Sequence, residues 1–275
     1  KLSSSPLFEL DEDATTLDSL AKINVLREKM KSLDLDGYVV SDLNEIAYLT
    51  NLRGDDLPYT PVFYAYLFVS LSNAYLFFDT SRFSKSIKGV DAFYPYSSFS
   101  SFLEKTNLNR IGLDINSVNY EIDRLLKDKA VYVSSLIELD KAIKGEKEIK
   151  NTIKSQIEDG VALTKFIIHF KDEVKKGSDE QSLSNLLHSY REKGTHFIGE
   201  SFENIVAVDS NSACMHYAPS EEIHSKVDSN SSSLLIDSGG QYKYGTTDTT
   251  RTFALSNPSE EFKKDYTLTL KCLIA

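Results

Sequence analysis

The spacing of apolar side chains predicts that the first half of the chain alternates between short strands and helices. Apolar residues recur every three or four positions in an early segment, at Leu20, Ile23, Leu26, Met30 and Leu33. This period predicts a helix with its N-cap at Thr15 or Thr16. Segments 62–70 and 74–79 are rich in aromatic and β-branched residues, flank Leu71-Ser-Asn73 and predict a hairpin. Further strands are expected at 38–41, 110–114 and 130–134, and further helices at 42–49, 81–87, 97–105 and 118–127. Such alternation indicates an α/β (α+β) fold with a mixed sheet and flanking helices.

A long amphipathic pattern opens the second half of the chain. Apolar residues, mostly four positions apart, predict one helix over 146–175, with the stripe Ile149, Ile153, Ile157, Val161, Phe166, Ile167, Phe170 and Val174. We expect this stripe to be the buried face of the helix. Gly177 is a suitable C-cap, and Ser178 with Gln181 fits a capping box for a second helix at 179–193. Strands are expected at 203–208, 233–238 and 246–255.

Changes in composition divide the chain into three segments. Residues 1–14 are Ser-rich and then acidic, which is typical of a linker. The alternating strands and helices occupy 15–142, and the long helix opens a second domain at 143–275. The chain does not begin with Met, and its last residues continue a helical pattern without a stop signal. We therefore expect it to be part of a longer polypeptide.

Charge and composition exclude several classes of protein. The 275 residues carry 41 acidic and 31 basic side chains, for a formal charge of −10, and 41% of residues are apolar. This balance is typical of a soluble globular protein and argues against nucleic acid as a partner, because phosphate binding requires a basic surface. No apolar run reaches the roughly 20 residues that a membrane helix needs. Two cysteines without zinc-type spacing fit a reducing, cytoplasmic setting.

Two aspartates in one expected hairpin are candidate metal ligands. Asp237 ends the apolar run that begins at Leu234, and Asp248 lies in a Thr-rich segment after a Gly-containing turn. For a turn centred between Tyr242 and Lys243, the two carboxylates face each other with Cβ atoms about 5 Å apart. Like charges held together in a partly dry site need a cation between them. Hard divalent ions such as Mn²⁺ prefer carboxylate oxygen.

Ordinary structural roles stay open for these candidates. An Asp at a strand end is frequently a turn former, and two of them can be neighbours by chance. Histidine is the residue type that titrates near neutral pH. His216, between apolar residues and before Pro219, can bind a substrate or a developing oxyanion. Taken alone, a packing or loop histidine is the more common case. The HExxH and GxSxG motifs of zinc proteases and serine hydrolases do not occur.

Three separated segments resemble one family of metallopeptidases. Residues 236–252, Ile-Asp-Ser-Gly-Gly-Gln-Tyr-Lys-Tyr-Gly-Thr-Thr-Asp-Thr-Thr-Arg-Thr, resemble the IDSGAQY…GTTDVTRT signature of cytosolic aminopeptidase P. This is the Xaa-Pro aminopeptidase family of the creatinase/prolidase/methionine-aminopeptidase superfamily. Residues 215–219 resemble its HYAP segment, and residues 44–54 and 58–63 resemble its DEIAWLFNLRG and PYNPVFF segments. The matches follow the order of the family over most of the chain.

The resemblance implies both a fold and a reaction. The first domain would be creatinase-like, and the second would be the N-terminal half of a pita-bread catalytic domain. The reaction would remove the N-terminal residue from peptides with Pro in the second position, through a water that two metal ions, usually Mn²⁺, activate. Carried over by position, Asp237 and Asp248 are metal ligands, with Asp248 bridging. His216 is then the catalytic and substrate-binding histidine.

The resemblance also implies parts that residues 1–275 do not carry. The family's remaining ligands, one His and two Glu, come later in its sequence, and a further domain precedes the segment matched here. We therefore expect this chain alone to be inactive and poorly folded in its second domain. Its expected partner is the C-terminal half of the catalytic domain, on the same or a separate chain, and a homodimer is an option for the complete enzyme. The alternatives are a non-catalytic pita-bread module that binds peptides or proteins, and a fragment without function; the presence of Asp237, Asp248 and His216 favours the enzyme.

Overall fold

The computed structural model describes residues 3–275, and the chain divides into two units. The first unit comprises residues 1–151 and the second residues 152–275. The division lies inside the long helix, later in the chain than the change in composition at residue 142. Each unit has a hydrophobic core of its own, so each can be described by itself.

A six-stranded mixed sheet is the centre of the first unit. The strands of this unit are β1 (Phe8–Glu9), β2 (Gly37–Val40), β3 (Leu52–Arg53), β4 (Tyr66–Ser70), β5 (Ala74–Phe78), β6 (Ala92–Pro95), β7 (Ile111–Asp114) and β8 (Ala130–Val133). The helices are α1 (Ser19–Ser32), α2 (Leu43–Thr50), α3 (Phe99–Lys105), α4 (Tyr120–Leu126) and α5 (Glu138–Ala142), and α6 (Glu146–Lys176) begins here. The sheet has the order β6-β5-β4-β2-β7-β8. Because β2 runs antiparallel to β4 and parallel to β7, the expected mixed sheet is confirmed.

The expected hairpin in this sheet is also confirmed. Strands β4 and β5 pair antiparallel with Val69 opposite Ala74. The Ser70 amide donates to the Asn73 carbonyl over 2.7 Å and closes the turn. Successive side chains of a strand point to opposite faces. Leu67 and Val69 accordingly enter one core cluster, and Phe68 enters the other.

Three local expectations for the first unit are wrong. The segment expected to be a linker is packed in its described part, because β1 pairs with β3 and Leu7 is only 6% exposed. Helix α1 is capped by Asp18, whose carboxylate accepts the Ala21 amide at 2.9 Å. Only a 3₁₀ turn, Thr80–Arg82, occupies the helix expected at 81–87. The turn ends at Arg82, whose side chain pairs with Asp56 at 2.8 Å, and the next residue is extended.

Small antiparallel sheets and three helices form the second unit. Its strands are β9 (Ser178–Asp179), β10 (Phe197–Glu200), β11 (Ile205–Val208), β12 (Lys226–Val227), β13 (Ser233–Ser238), β14 (Gly240–Tyr242), β15 (Gly245–Thr246) and β16 (Thr249–Ala254). Its helices are the rest of α6, α7 (Glu180–Arg191) and α8 (Glu260–Ile274). The sheets have the orders β10-β14-β15, β11-β13-β16 and β12-β9. Among residues 3–275, no helix is long and apolar enough to cross a membrane.

Helix α6 buries a different face from the one expected over its first half. Ile153, Ile157 and Val161 are 54%, 64% and 49% exposed. The inner face instead carries polar residues, of which Asp159 is 2% exposed and pairs with Arg191. This buried ion pair selects the inner face, and hydrophobic periodicity cannot reveal such a pair. Over the second half of α6 the expectation is confirmed, because the stripe residues Phe166, Phe170 and Val174 enter the core and Ile167 packs against it.

The caps around α7 follow the expected kind of chemistry with different residues. Gly177 ends α6 with φ of 88°, a left-handed conformation in which glycine lacks the steric cost of a Cβ. The capping box of α7 consists of Asp179 and Ser182, one residue later than expected. The Asp179 carboxylate accepts the Ser182 amide at 2.7 Å, and the Ser182 hydroxyl accepts the Asp179 amide at 3.0 Å.

The packing of Leu7 can be tested by truncating its side chain. We expect Leu7→Ala to lower the free energy of unfolding of the first unit by about 2–4 kcal/mol, because it leaves a cavity in the core. The control is Leu20→Ala, at a position that is 41% exposed, which should change stability by no more than about 0.5 kcal/mol. Urea denaturation followed by tyrosine fluorescence measures both. Equal effects of the two substitutions would mean that residues 3–14 are a linker.

Candidate metal site

Asp237 lies in the central strand of the sheet β11-β13-β16. It is opposite Ile205 on β11 and Thr250 on β16, so its backbone is fixed from both sides. Its Oδ1 atom is buried and has no hydrogen-bond partner within residues 3–275. A buried polar atom without a partner costs about 1–3 kcal/mol, and more when it carries charge. A cation would remove this cost, so the donor chemistry of Asp237 fits a divalent metal ion.

The expected register between the two aspartates is wrong by two residues. Asp237 is opposite Thr250, and Asp248 lies just before the start of β16 with an exposed side chain. The position of the turn causes the difference. Because Tyr242 pairs with Gly245, the centre of the turn lies one residue later than expected, and this shifts the paired positions by two. A shift by two preserves the face on which a side chain lies. Diagonal neighbours within a paired ladder are about 7–8 Å apart, and Asp248 lies one residue beyond the last pair of this ladder.

Close backbone contacts hold the segments that follow Asp237 and precede Asp248. The Thr247 amide donates to the Gly240 carbonyl at 2.9 Å, and the Gly240 amide donates to the Thr247 hydroxyl at 2.9 Å. The Ser201 hydroxyl donates to the Thr247 carbonyl at 2.8 Å. A Cβ on Gly239 would lie 2.0 Å from that same carbonyl oxygen. Gly239 is therefore required by the close approach of two chain segments.

Asp237 and Asp248 do not belong to a larger group of metal-binding side chains in the described part of the chain. Searched over residues 3–275, the structure contains no group of three or more His, Cys, Asp or Glu side chains that could hold a metal ion. His216 is accordingly not brought into such a group with Asp237 and Asp248.

His216 lies on an irregular segment after the 3₁₀ turn Asp209–Ala213. Its side chain is exposed, and its backbone is left-handed with φ of 56°. Histidine is among the few non-glycine residues that adopt this conformation with some frequency. Because the side chain is exposed, its position depends on the backbone of its own segment and on Tyr217 beside it. A contact with an incoming peptide is compatible with this exposure.

A buried polar network behind Asp237 was not signalled by the sequence. Arg191 is fully buried, and its guanidinium donates to Asp159 at 2.7 Å, to Glu200 at 3.0 Å and to the Ser238 hydroxyl at 3.0 Å. Burial lowers the pKa of Arg191, but the hydrogen bond to Asp159 and the charges of Asp159, Glu200 and Tyr242 together more than offset this, and the pKa is raised overall. Since Ser238 follows Asp237 directly, the network fixes the end of β13. In the sequence, Arg191 has the pattern of an ordinary surface arginine near a helix end.

Comparisons with known proteins agree on one family. Residues 1–148 match the creatinase/prolidase N-terminal domain, and residues 153–275 match metallopeptidase family M24. A Schizosaccharomyces pombe protein named as an uncharacterized peptidase is 36% identical over 260 residues, covering 92% of this chain and 43% of its own. A Drosophila melanogaster Xaa-Pro aminopeptidase is 34% identical over 281 residues, covering 98% and 46%.

A solved structure extends this agreement to the fold. The crystal structure of X-prolyl aminopeptidase from Caenorhabditis elegans, described as a cytosolic enzyme with a di-nuclear active site, superimposes with a TM-score of 0.89 at 29% identity. The match covers 95% of this chain and 45% of that one. The creatinase-like and pita-bread folds are thus confirmed. The chain spans less than half the length of each relative named here.

The close approach at Gly239 predicts the effect of adding a methyl group there. Gly239→Ala should displace the Thr247 segment, cost about 1–3 kcal/mol of stability and speed hydrogen exchange at the Gly240 and Thr247 amides. The control is Gly160→Ala, where an added Cβ has no neighbour within 4 Å. That change should stabilise helix α6 by up to about 1 kcal/mol. Unchanged exchange in Gly239→Ala would show that these segments are not held together.

Proposed function

This chain belongs to the family that joins a creatinase/prolidase N-terminal domain to an M24 metallopeptidase domain, and on that premise we propose that it is part of a proline-specific metallo-aminopeptidase. The protein would remove the N-terminal residue from peptides with Pro in the second position, in the cytoplasm. The observation that carries the proposal is the buried Oδ1 of Asp237, which has no hydrogen-bond partner within residues 3–275. Binding a metal ion would compensate this carboxylate. The Drosophila and Caenorhabditis relatives, both named as Xaa-Pro aminopeptidases, support the substrate class.

We assign Asp237 and Asp248 to metal binding. Two divalent ions, with Mn²⁺ expected, would supply an activated water and stabilise the developing oxyanion. The polar network of Arg191 fixes the β13 end that carries Asp237. The contacts of Thr247 with Gly240 fix the segment that leads to Asp248. Both carboxylates are thus attached to backbone that is held before any metal arrives.

We assign His216 to substrate binding and proton transfer. An imidazole can donate a hydrogen bond to a substrate carbonyl and can pass a proton to or from a reacting group. The exposed side chain of His216 is accessible to a peptide.

The proposed reaction is tested by peptide hydrolysis in a longer chain that extends past residue 275. With Mn²⁺, this longer chain should release arginine from Arg-Pro-Pro, and a metal chelator should stop the release. Asp248→Asn should abolish both cleavage and metal binding, because a ligand charge is lost. A longer chain that binds such peptides without cleaving them would support the non-catalytic alternative and overturn the proposal.

Substitution of His216 separates substrate handling from metal binding. We expect His216→Ala in the longer chain to lower kcat by about 10²–10⁴, the usual size of a general acid–base contribution. Metal content, measured by mass spectrometry after dialysis, should stay at the wild-type level. His224→Ala is the control, because that exposed histidine lies in a polar loop of the same segment. Loss of metal from His216→Ala would make His216 a ligand instead.

We also propose that a companion segment, the other half of the M24 fold, completes the second unit. Within residues 3–275, β16 pairs with β13 on one side only, so its other edge is open. Ile153, Ile157 and Val161 on α6 are exposed, and α8 has no buried residue. An open strand edge and exposed apolar side chains promote association with another segment or aggregation.

The need for a companion segment predicts the behaviour of residues 1–275 alone. This chain should bind the dye ANS or aggregate, and should show no Mn²⁺-dependent release of a residue before Pro. Co-expression with the companion segment should yield a monodisperse, active complex. A monodisperse, Mn²⁺-activated aminopeptidase formed by residues 1–275 alone, as monomer or homodimer, would refute the proposal.

A further inference from the structure

Glu180, the first residue of helix α7, is a buried carboxylate with all its bonds directed at one segment. It is 0% exposed. Its Oε1 accepts the Val208 amide at 2.7 Å and the Asn211 side-chain amide at 2.9 Å. Its Oε2 accepts the Tyr217 hydroxyl at 2.6 Å and the Ser225 amide at 2.7 Å. Charge-assisted bonds of this length are among the stronger hydrogen bonds in proteins.

The four donors lie along the segment that contains His216. Val208 ends β11 and Ser225 precedes β12, so Glu180 bonds to both ends of residues 208–225. The Glu180 amide also donates to the Ser225 carbonyl at 3.1 Å. Because most of this segment has no regular secondary structure, its shape depends on such side-chain bonds. One buried carboxylate thus holds the two ends of this segment together.

Tyr217 is the hydrogen-bond partner of Glu180 that is adjacent to His216 in the sequence. Its hydroxyl donates to Glu180 and accepts from the Asn211 side chain at 3.2 Å. Burial of the hydroxyl and its bond to Glu180 raise the pKa of Tyr217 to about 12, so it stays protonated as the donor. Since Tyr217 follows His216 in the chain, fixing its hydroxyl limits the orientations open to the His216 backbone, which is already left-handed.

We propose that Glu180 is a positioning residue that sets the orientation of His216 toward the substrate by holding Tyr217 and the two ends of segment 208–225. This inference rests on the proposed role of His216. Glu180 itself touches neither substrate nor metal, because it is buried under the segment. It acts through the four hydrogen bonds, and its loss would leave His216 exposed but no longer held in one place.

The decisive variants are Glu180→Gln and Tyr217→Phe in the longer chain. Glutamine keeps the shape of Glu180 but replaces one acceptor oxygen with a donor amide, so two of the four donors lose their acceptor. Phenylalanine removes only the two hydrogen bonds of the Tyr217 hydroxyl, to Glu180 and from Asn211. It keeps the experiment informative if Glu180→Gln does not fold. The control is Glu173→Gln, because Glu173 is paired with Lys176 on the surface of α6.

Kinetics and a coupling measurement test the role of Glu180 in turnover. We expect Glu180→Gln to lower kcat about tenfold or more, with KM and metal content near wild type. Tyr217→Phe should produce a smaller fall in kcat. In a His216→Ala background, Glu180→Gln should change kcat by less than about twofold, because Glu180 acts on turnover only through the His216 side chain. A full and independent effect in that background would overturn the proposal.

A second readout does not require activity. In the longer chain labelled at histidine ¹³Cε1, the His216 resonance, assigned with His216→Ala, should shift or broaden in Glu180→Gln and in Tyr217→Phe. It should be unchanged in Glu173→Gln. An unchanged His216 resonance in both variants would overturn the positioning role. If wild type cleaves no Xaa-Pro peptide, the proposed function fails, while this resonance still decides whether Glu180 controls His216.

Discussion

The second unit is organised by the need to satisfy carboxylates that are wholly or partly buried. Asp159 is paired with Arg191, and Glu180 accepts four hydrogen bonds from segment 208–225. Both groups are therefore compensated within the chain, as buried charge must be. Asp237 is different, because its buried Oδ1 has no partner within residues 3–275. The same physical rule that explains the two structural carboxylates is the reason why we propose a cation at the third.

The compensated carboxylates also determine where the candidate groups lie. Arg191 connects α6 and α7 to Ser238, so the ion pair with Asp159 fixes the strand end next to Asp237. Glu180 connects the start of α7 to the segment of His216. Helix α7 therefore supports the strand end of Asp237 at one end and the segment of His216 at the other. Breaking a buried pair of this kind costs about 3–5 kcal/mol, which is a large share of the stability of a domain.

Much of the fold could be predicted from the sequence, because local patterns determine it. Strand β13 begins and ends where the apolar run Leu234-Leu-Ile indicates, and the turn at Asn73 joins β4 to β5 as expected. The inner face of α6 could not be predicted, because a polar pair at Asp159 replaces the isoleucines there. The register of Asp237 and Asp248 was missed for a similar reason, since the position of a turn depends on contacts such as those of Gly239.

The candidate site was predictable only in part. Asp237, Asp248 and His216 are predicted as site residues because their segments resemble a family, whereas their spacing alone leaves ordinary structural roles open. Glu180 and Arg191 carry no signal, because an acid at the start of a helix and a base near its end are common on protein surfaces. Only their burial and their partners reveal what they hold in place.

The central claim is that the unpaired oxygen of Asp237 is a metal ligand. Anomalous diffraction from crystals of the longer chain grown with Mn²⁺ tests it most directly. The account predicts an anomalous peak within coordination distance, about 2.0–2.3 Å, of Asp237 Oδ1. A protein donor or a water bonded to that oxygen, with the Mn²⁺ peak elsewhere or absent, would contradict it.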